Sequence, residues 1–265
     1  LAVDATGNLY VANRGGNQIL VYNVAYKLMG TKTITQNIHS PMQVALDPQG
    51  DVWVLNIDPA TSTSEYFTEF ASNGKQINSN ATQNLNNTFS SPLLAVDGTG
   101  DVWYTFINDQ PLLAAAIPLT AYSGALLDGI YEHPGSFTAL AARGEWIAFG
   151  SATSASWVLS GALLSNAPDV RLFGSSENGA SGVLAMTLDD AANLYIAIYN
   201  GFSGTGLQSV NVPAGTPPVL RLNLSYLPSG MAADSAHGRL YISNSSTNQI
   251  QVYSTSTWTL LTTIQ

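Results

Sequence analysis

The chain is expected to be all-β, a six-bladed β-propeller with four antiparallel strands per blade, and three observations carry that expectation. The hexapeptide "NQILVY" at residues 17–22 returns almost unchanged as "NQIQVY" at residues 248–253. Between them lie further copies of one longer unit. No window of the 265 residues keeps an apolar period of 3.6, whereas short alternating runs recur throughout.

The unit reads as an apolar run, an Asp, a turn and an aromatic-bearing run. Its copies are "LAVDATGNLYVAN" from Leu1, "VALDPQGDVWVLN" from Val44, "LAVDGTGDVWYTF" from Leu94, "MTLDDAANLYIAI" from Met186 and "MAADSAHGRLYISN" from Met231. A degenerate copy, "TALAARGEWIAFG", starts at Thr138. The anchors fall at Asp4, Asp47, Asp97, Ala141, Asp189 and Asp234, 43 to 50 residues apart, a period suited to one propeller blade per unit. Six units cover residues 1–265 as a single domain. A chain that starts at Leu1, inside a strand pattern, is expected to continue upstream in the natural product.

Each unit opens with a hairpin. In "VALDPQGDVWVL" two alternating segments flank Asp-Pro-Gln-Gly, and Asp first, Pro second and Gly fourth suit a type I turn. An aromatic follows the anchor at Tyr10, Trp53, Trp103 and Tyr195, and at Tyr241 after a one-residue insertion. An aromatic at one recurrent strand position predicts packing between neighbouring sheets. A second strand pair completes each blade: "QILVYN" with "GTKTITQ" in the first, "EYFTEFA" as third strand of the second, "VLRLNLS" last in the fifth, "QIQVYS" with "TLLTTIQ" in the sixth. Contiguous strands in the first and last units imply closure by blade-to-blade packing.

Charged residues make up 9% of the chain against about 25% in an average protein, so the surface must be neutral and polar. The net charge of −9, with no basic run, argues against nucleic acid, whose phosphates would be repelled. With no cysteine, disulfides, thiolate metal sites and cysteine nucleophiles are excluded. No apolar run approaches the roughly 20 residues that span a bilayer, so no membrane insertion is expected.

These motifs resemble the NHL-repeat family of six-bladed propellers, with "LAVDATGNLYVANRGGNQILVY" matching its repeat nearly throughout. The resemblance implies the fold more than an activity, because such propellers include lyases, lactonases and binding scaffolds. "GDVWVL" and "GDVWYTF" are similar to streptogramin lyase repeats. The sugar-lactonase propellers set a Glu, an Asn and an Asp around a divalent metal, with the Glu in a Glu-Gly-Pro lead-in. Here only "EHPG" at Glu132 approaches that motif, and a His stands in place of the Gly.

Functional residues are expected in the segments leading into each first strand, which converge on one mouth of the central channel. His39 lies eight residues before Asp47, and His133 eight before Ala141, so they occupy equivalent places two blades apart, with Glu132 beside the second. Together they are candidates for a divalent metal or a general base, although Pro41 and Pro134 also make them ordinary pre-turn residues. His237 sits in a hairpin turn at the other mouth. Asn13, Asn56 and Asn244 close the second strand of three units and are candidate ligand-binding residues, or backbone-capping ones. The pairs Asp47/Asp51 and Asp97/Asp101 lack the acidic density of calcium loops and read as solvated hairpins.

The expected function is a monomeric, secreted, periplasmic or cell-surface binding scaffold for a protein, glycan or small molecule. The alternative is a metal-dependent lyase or lactonase-like hydrolase with its site at the channel mouth.

Overall fold

The computed structural model describes residues 1–57, 65–78, 93–107, 113–119, 133–134, 138–150, 154–159, 169–171, 181–200, 204–215 and 217–265. They form antiparallel sheets, each built from strands consecutive in the chain. The first holds β1 (Ala2–Val3), β2 (Leu9–Asn13) and β3 (Gln18–Tyr22). The second holds β4 (Gln43–Leu46), β5 (Val52–Ile57), β6 (Glu65–Phe70) and β7 (Gln76–Asn78). The third holds β8 (Leu94–Val96), β9 (Val102–Ile107), β10 (Leu113–Leu119) and β11 (His133–Pro134). The fourth holds β12 (Ala139–Arg143), β13 (Trp146–Gly150), β14 (Ser154–Leu159) and β15 (Asp169–Arg171). The fifth holds β16 (Ser181–Leu188), β17 (Asn193–Asn200), β18 (Thr205–Asn211) and β19 (Val219–Leu224). The sixth holds β20 (Pro228–Asp234), β21 (Arg239–Asn244), β22 (Gln249–Ser254) and β23 (Leu260–Ile264). Among the described residues, helix is confined to two short 3-10 turns, Arg14–Gly16 and Gly30–Lys32.

Two elements differ from the sequence expectation. The segment at residues 30–36, expected as the outermost strand of the first unit, makes only one isolated bridge to β3, Ile34 with Ile19, and a second joins Leu28, just before it, to Tyr22. The 3-10 turn at Gly30–Lys32 lies between the bridges and keeps the intervening backbone off the ladder. In the degenerate fourth copy, Ala141 cannot anchor a turn. The ladder therefore continues past it to Arg143 opposite Trp146, and Gly144, at φ 56°, opens a two-residue loop.

Apolar residues of each sheet pack against the next. Tyr10 and the β3 residues Ile19 and Val21 share a cluster with Val44, Val52 and Val54 of the second sheet. Trp53 packs with Leu94, Val96 and Val102, and Trp103 with Leu140, Ile147 and Phe149. Ala139, Ala141 and Ala148 pack with Val183 and Met186. Tyr195 joins Met231, Ala233 and Leu240, and Tyr241 joins Val3 and Leu9 of the first sheet. The recurrent aromatic is thus a wedge between adjacent sheets, and small residues fill that role between the fourth and fifth. First strands of all six sheets line one cavity of about 550 Å³.

Candidate binding site at the channel mouths

At one end of the cavity the anchor aspartates tie down the hairpins. Asp4 Oδ1 accepts from the backbone N–H of Thr6 and Asn8, both at 2.9 Å. Asp47 accepts in the same way from Gln49 at 2.9 Å and Asp51 at 2.8 Å, Asp97 from Thr99 at 2.9 Å and Asp101 at 3.1 Å, and Asp189 from Ala191 at 3.0 Å and Asn193 at 2.8 Å. The longer sixth turn gives Asp234 the N–H of His237 at 3.1 Å. Gly7, Gly50 and Gly100, with φ of 82°, 84° and 90°, supply the left-handed step these turns need. The repeated Asp is therefore a side-chain cap for a tight loop.

These turns touch around the mouth. Gly98 N–H donates to Gly144 O at 2.6 Å, joining the third and fourth hairpins. Arg143 Nε donates to Asp190 Oδ1 at 2.5 Å, and Asp190 N–H donates to Ser235 Oγ at 2.8 Å, linking the fourth, fifth and sixth. His237 packs against Gly7 so closely that a Cβ there would lie 2.6 Å from its ring.

Charge at this mouth is predominantly negative, and local partners set each carboxyl. Burial pushes Asp4 up, but hydrogen bonds from Asn8 and Thr6 outweigh it and hold its carboxyl below the usual range. The hydrogen bond from Arg143 depresses Asp190. Burial and then the neighbouring anchor charge raise Asp51 and Asp101. Burial, followed by the charge and hydrogen bond of Asp4, pushes the Tyr10 hydroxyl up to about 12.

At the opposite end the predicted site residues meet different neighbours. His39 is exposed, with its ring centroid 6.5 Å from that of Tyr66. Its backbone N–H donates to Asn56 Oδ1 at 3.1 Å, and its carbonyl accepts from Ile57 at 3.1 Å. Asn56 is fully buried, and its amide also donates to Val54 O at 3.3 Å and Thr68 Oγ1 at 3.1 Å. Asn13 Oδ1 accepts from Gly16 at 3.2 Å, and Asn244 Oδ1 from Ser246 at 3.1 Å. All three asparagines thus bind nearby backbone. The His133 backbone lies in β11, opposite Ala114. Glu132 and the His133 side chain lie outside the described residues.

Sequence reasoning missed two residues at the hairpin mouth. Arg143 follows the degenerate anchor, and only the extended ladder carries it to Asp190. Glu69 comes from β6, where it stands directly opposite Trp53. The alternation of "EYFTEF" was the available signal, but its pairing register was not visible in one sequence.

Antiparallel sheets around a shared channel, with hairpin turns gathered at one mouth, define the chain as a β-propeller. Solved structures with this fold include a chain of the nidogen/laminin complex, 14% identical at a TM-score of 0.70, covering 97% of this chain and 93% of that one. Streptogramin B lyase is 13% identical at a TM-score of 0.59, covering 100% of this chain and 81% of that one. A gluconolactonase from Xanthomonas campestris is 14% identical at a TM-score of 0.62, with 92% and 81% covered. The shared fold agrees with the propeller that the repeat resemblance implies. No family model and no curated protein matches the sequence.

Proposed function

We propose that residues 1–265 form one closed six-bladed propeller, nominally four strands to a blade, that works as a monomeric extracellular or cell-surface module binding a partner protein. The observation that carries this reading is the use of the recurrent polar side chains. The anchor aspartates and Asn13, Asn56 and Asn244 are engaged with backbone donors, so the repeats build a scaffold and recognition falls to the positions that vary between them. The fold it shares over nearly its full length with a chain of the nidogen/laminin complex supports a protein partner over a glycan or small molecule. The core shared by the last and first sheets supports closure by packing.

The test is surface plasmon resonance of the purified chain against a panel of extracellular proteins, with a glycan array in parallel. Saturable binding to one protein, lost when Gln49 and Thr99 at the hairpin mouth are both replaced by Arg, is the expected result. The lyase or hydrolase alternative predicts metal-dependent turnover of a lactone or cyclic ester that disappears in both His39→Ala and His133→Ala. That outcome would overturn the scaffold reading.

A further inference from the structure

The β4–β5 hairpin departs from its counterparts in one respect: its anchor carboxylate keeps its backbone donors but has none of the side-chain donors that the others have. In the first and fifth sheets the fourth residue after the anchor is Asn, and Asn8 and Asn193 donate from Nδ2 to Oδ2 of Asp4 and Asp189, both at 2.8 Å. In the third sheet that residue is Asp101, but Trp103 Nε1 donates to Asp97 Oδ2 at 2.8 Å and the Thr99 hydroxyl to Oδ1 at 2.6 Å. In the sixth, His237 Nδ1 lies 2.9 Å from Asp234 Oδ2.

In the second sheet the fourth residue is Asp51, which has no hydrogen to give, and the position of Thr99 is taken by Gln49. Trp53 holds the place of Trp103, yet its indole is only 9% exposed and its Nε1 donates to nothing. Directly across the ladder from Trp53, Glu69 adds a third carboxylate. Oxygens of Asp47, Asp51 and Glu69 lie within 4.8 Å of one another. Strand alternation puts the Trp53 side chain on the same face as Glu69, Asp51 and Asp47, in the place from which Trp103 Nε1 reaches its own anchor Asp97, so the unpartnered N–H lies on the side of this cluster.

We propose that Asp47, Asp51 and Glu69 bind a divalent cation of the calcium class, clamping the β4–β5 hairpin to β6. Oxygens that share one Ca²⁺ at 2.3–2.6 Å lie no more than about 5 Å apart, the spread found here. An all-carboxylate donor set is hard, which favours Ca²⁺ over zinc or copper. A carboxylate oxygen bound to a cation keeps a lone pair for a donor, so the Trp53 N–H and the cation can share this cluster. The cation takes over the neutralising role that Asn8, Asn193 and Trp103 play in the other hairpins. This inference does not depend on what the channel binds.

The experiment is thermal unfolding of the chelator-treated protein with CaCl₂, with MgCl₂, and with NaCl at matched ionic strength. About 10 mM Ca²⁺, well above a dissociation constant of the order of 10⁻⁴ M, should raise Tm by something on the order of 5 °C. Asp51→Asn installs the residue that two sibling hairpins carry, so the variant should fold at least as well without calcium and lose the calcium shift. Glu69→Gln should lose the shift too, while Asp101→Asn in the third sheet should keep it. Terbium emission sensitised by tryptophan should disappear in Trp53→Phe, which keeps its calcium response. No rise in the wild type, an equal rise in Asp51→Asn and Glu69→Gln, or terbium emission that survives Trp53→Phe would overturn the site.

Discussion

Asp97 illustrates how much one repeated side chain does. It is 2% exposed and accepts from two backbone N–H groups, the Thr99 hydroxyl and the Trp103 indole. Asp97→Ala would leave a buried indole donor unsatisfied and uncap the turn, an expected loss of about 2–4 kcal/mol in chemical denaturation. The depressed carboxyls of Asp4 and Asp190 make stability depend on acid. Each is lower in the folded chain than the unfolded value near 3.9, so its contribution is complete above about pH 4 and is lost as pH falls through the folded value. The raised carboxyls of Asp51 and Asp101 act in the opposite sense and soften the onset, so Tm should be near level from neutrality to about pH 5 and drop as pH passes down through the folded values of Asp4 and Asp190. Asp190→Asn, which removes the charge that Arg143 holds, should lower Tm at neutral pH and flatten part of that fall. An unchanged acid limb in the variant would refute the assignment.

At the scale of the element, what was legible in the sequence is what is local. An Asp that caps N–H groups two to four residues ahead needs only its own turn, so the hairpins of five copies could be placed from the repeat alone. The hexapeptide belongs to the same class: Asn17 and Asn248 take φ of 49° and 53°, a left-handed step that Asn tolerates before the third strand. What needed a partner strand was not legible. The extension of β12 and β13 past Ala141, the bridges at residues 28 and 34, and Glu69 opposite Trp53 all depend on register. Of the candidate site, the three asparagines could be read as a recurrent position, but not that Asn56 turns back to the segment carrying His39. Contact between hairpins is likewise invisible in one sequence, and it makes a sharp prediction. A Cβ on Gly98 would lie 2.6 Å from the Gly144 carbonyl, backbone that has no rotamer to yield. Gly98→Ala should cost about 1–3 kcal/mol although both residues sit in turns, as a lowered denaturation midpoint would report.

For the whole molecule, the decisive place is the seam between the last and first sheets. No strand crosses it, because β20–β23 and β1–β3 are each contiguous in the chain. It is held by side chains: Leu9 and Val3 pack with Tyr241, Val252 and Ile264. Arg239 Nη1 donates to Val24 O at 2.9 Å, and its guanidinium lies 5.0 Å from the Tyr26 ring centroid. If the six units form one closed ring, weakening this seam must weaken all of it, because an opened ring exposes the apolar faces of its first and last blades together. Leu9→Ala, at a side chain 1% exposed, should cost about 2–5 kcal/mol. Far-ultraviolet circular dichroism and tryptophan fluorescence should shift by the same amount in one coincident transition, since all five tryptophans lie outside the first sheet. Arg239→Ala should act in the same direction with a smaller effect. Native-state hydrogen exchange should show the amides of β2 and β22 losing protection together in the Leu9→Ala protein, before those of β5 and β17. Loss of the first sheet alone, with the tryptophan transition unmoved, would mean that the blades stand as a row joined one to the next, without a closed ring.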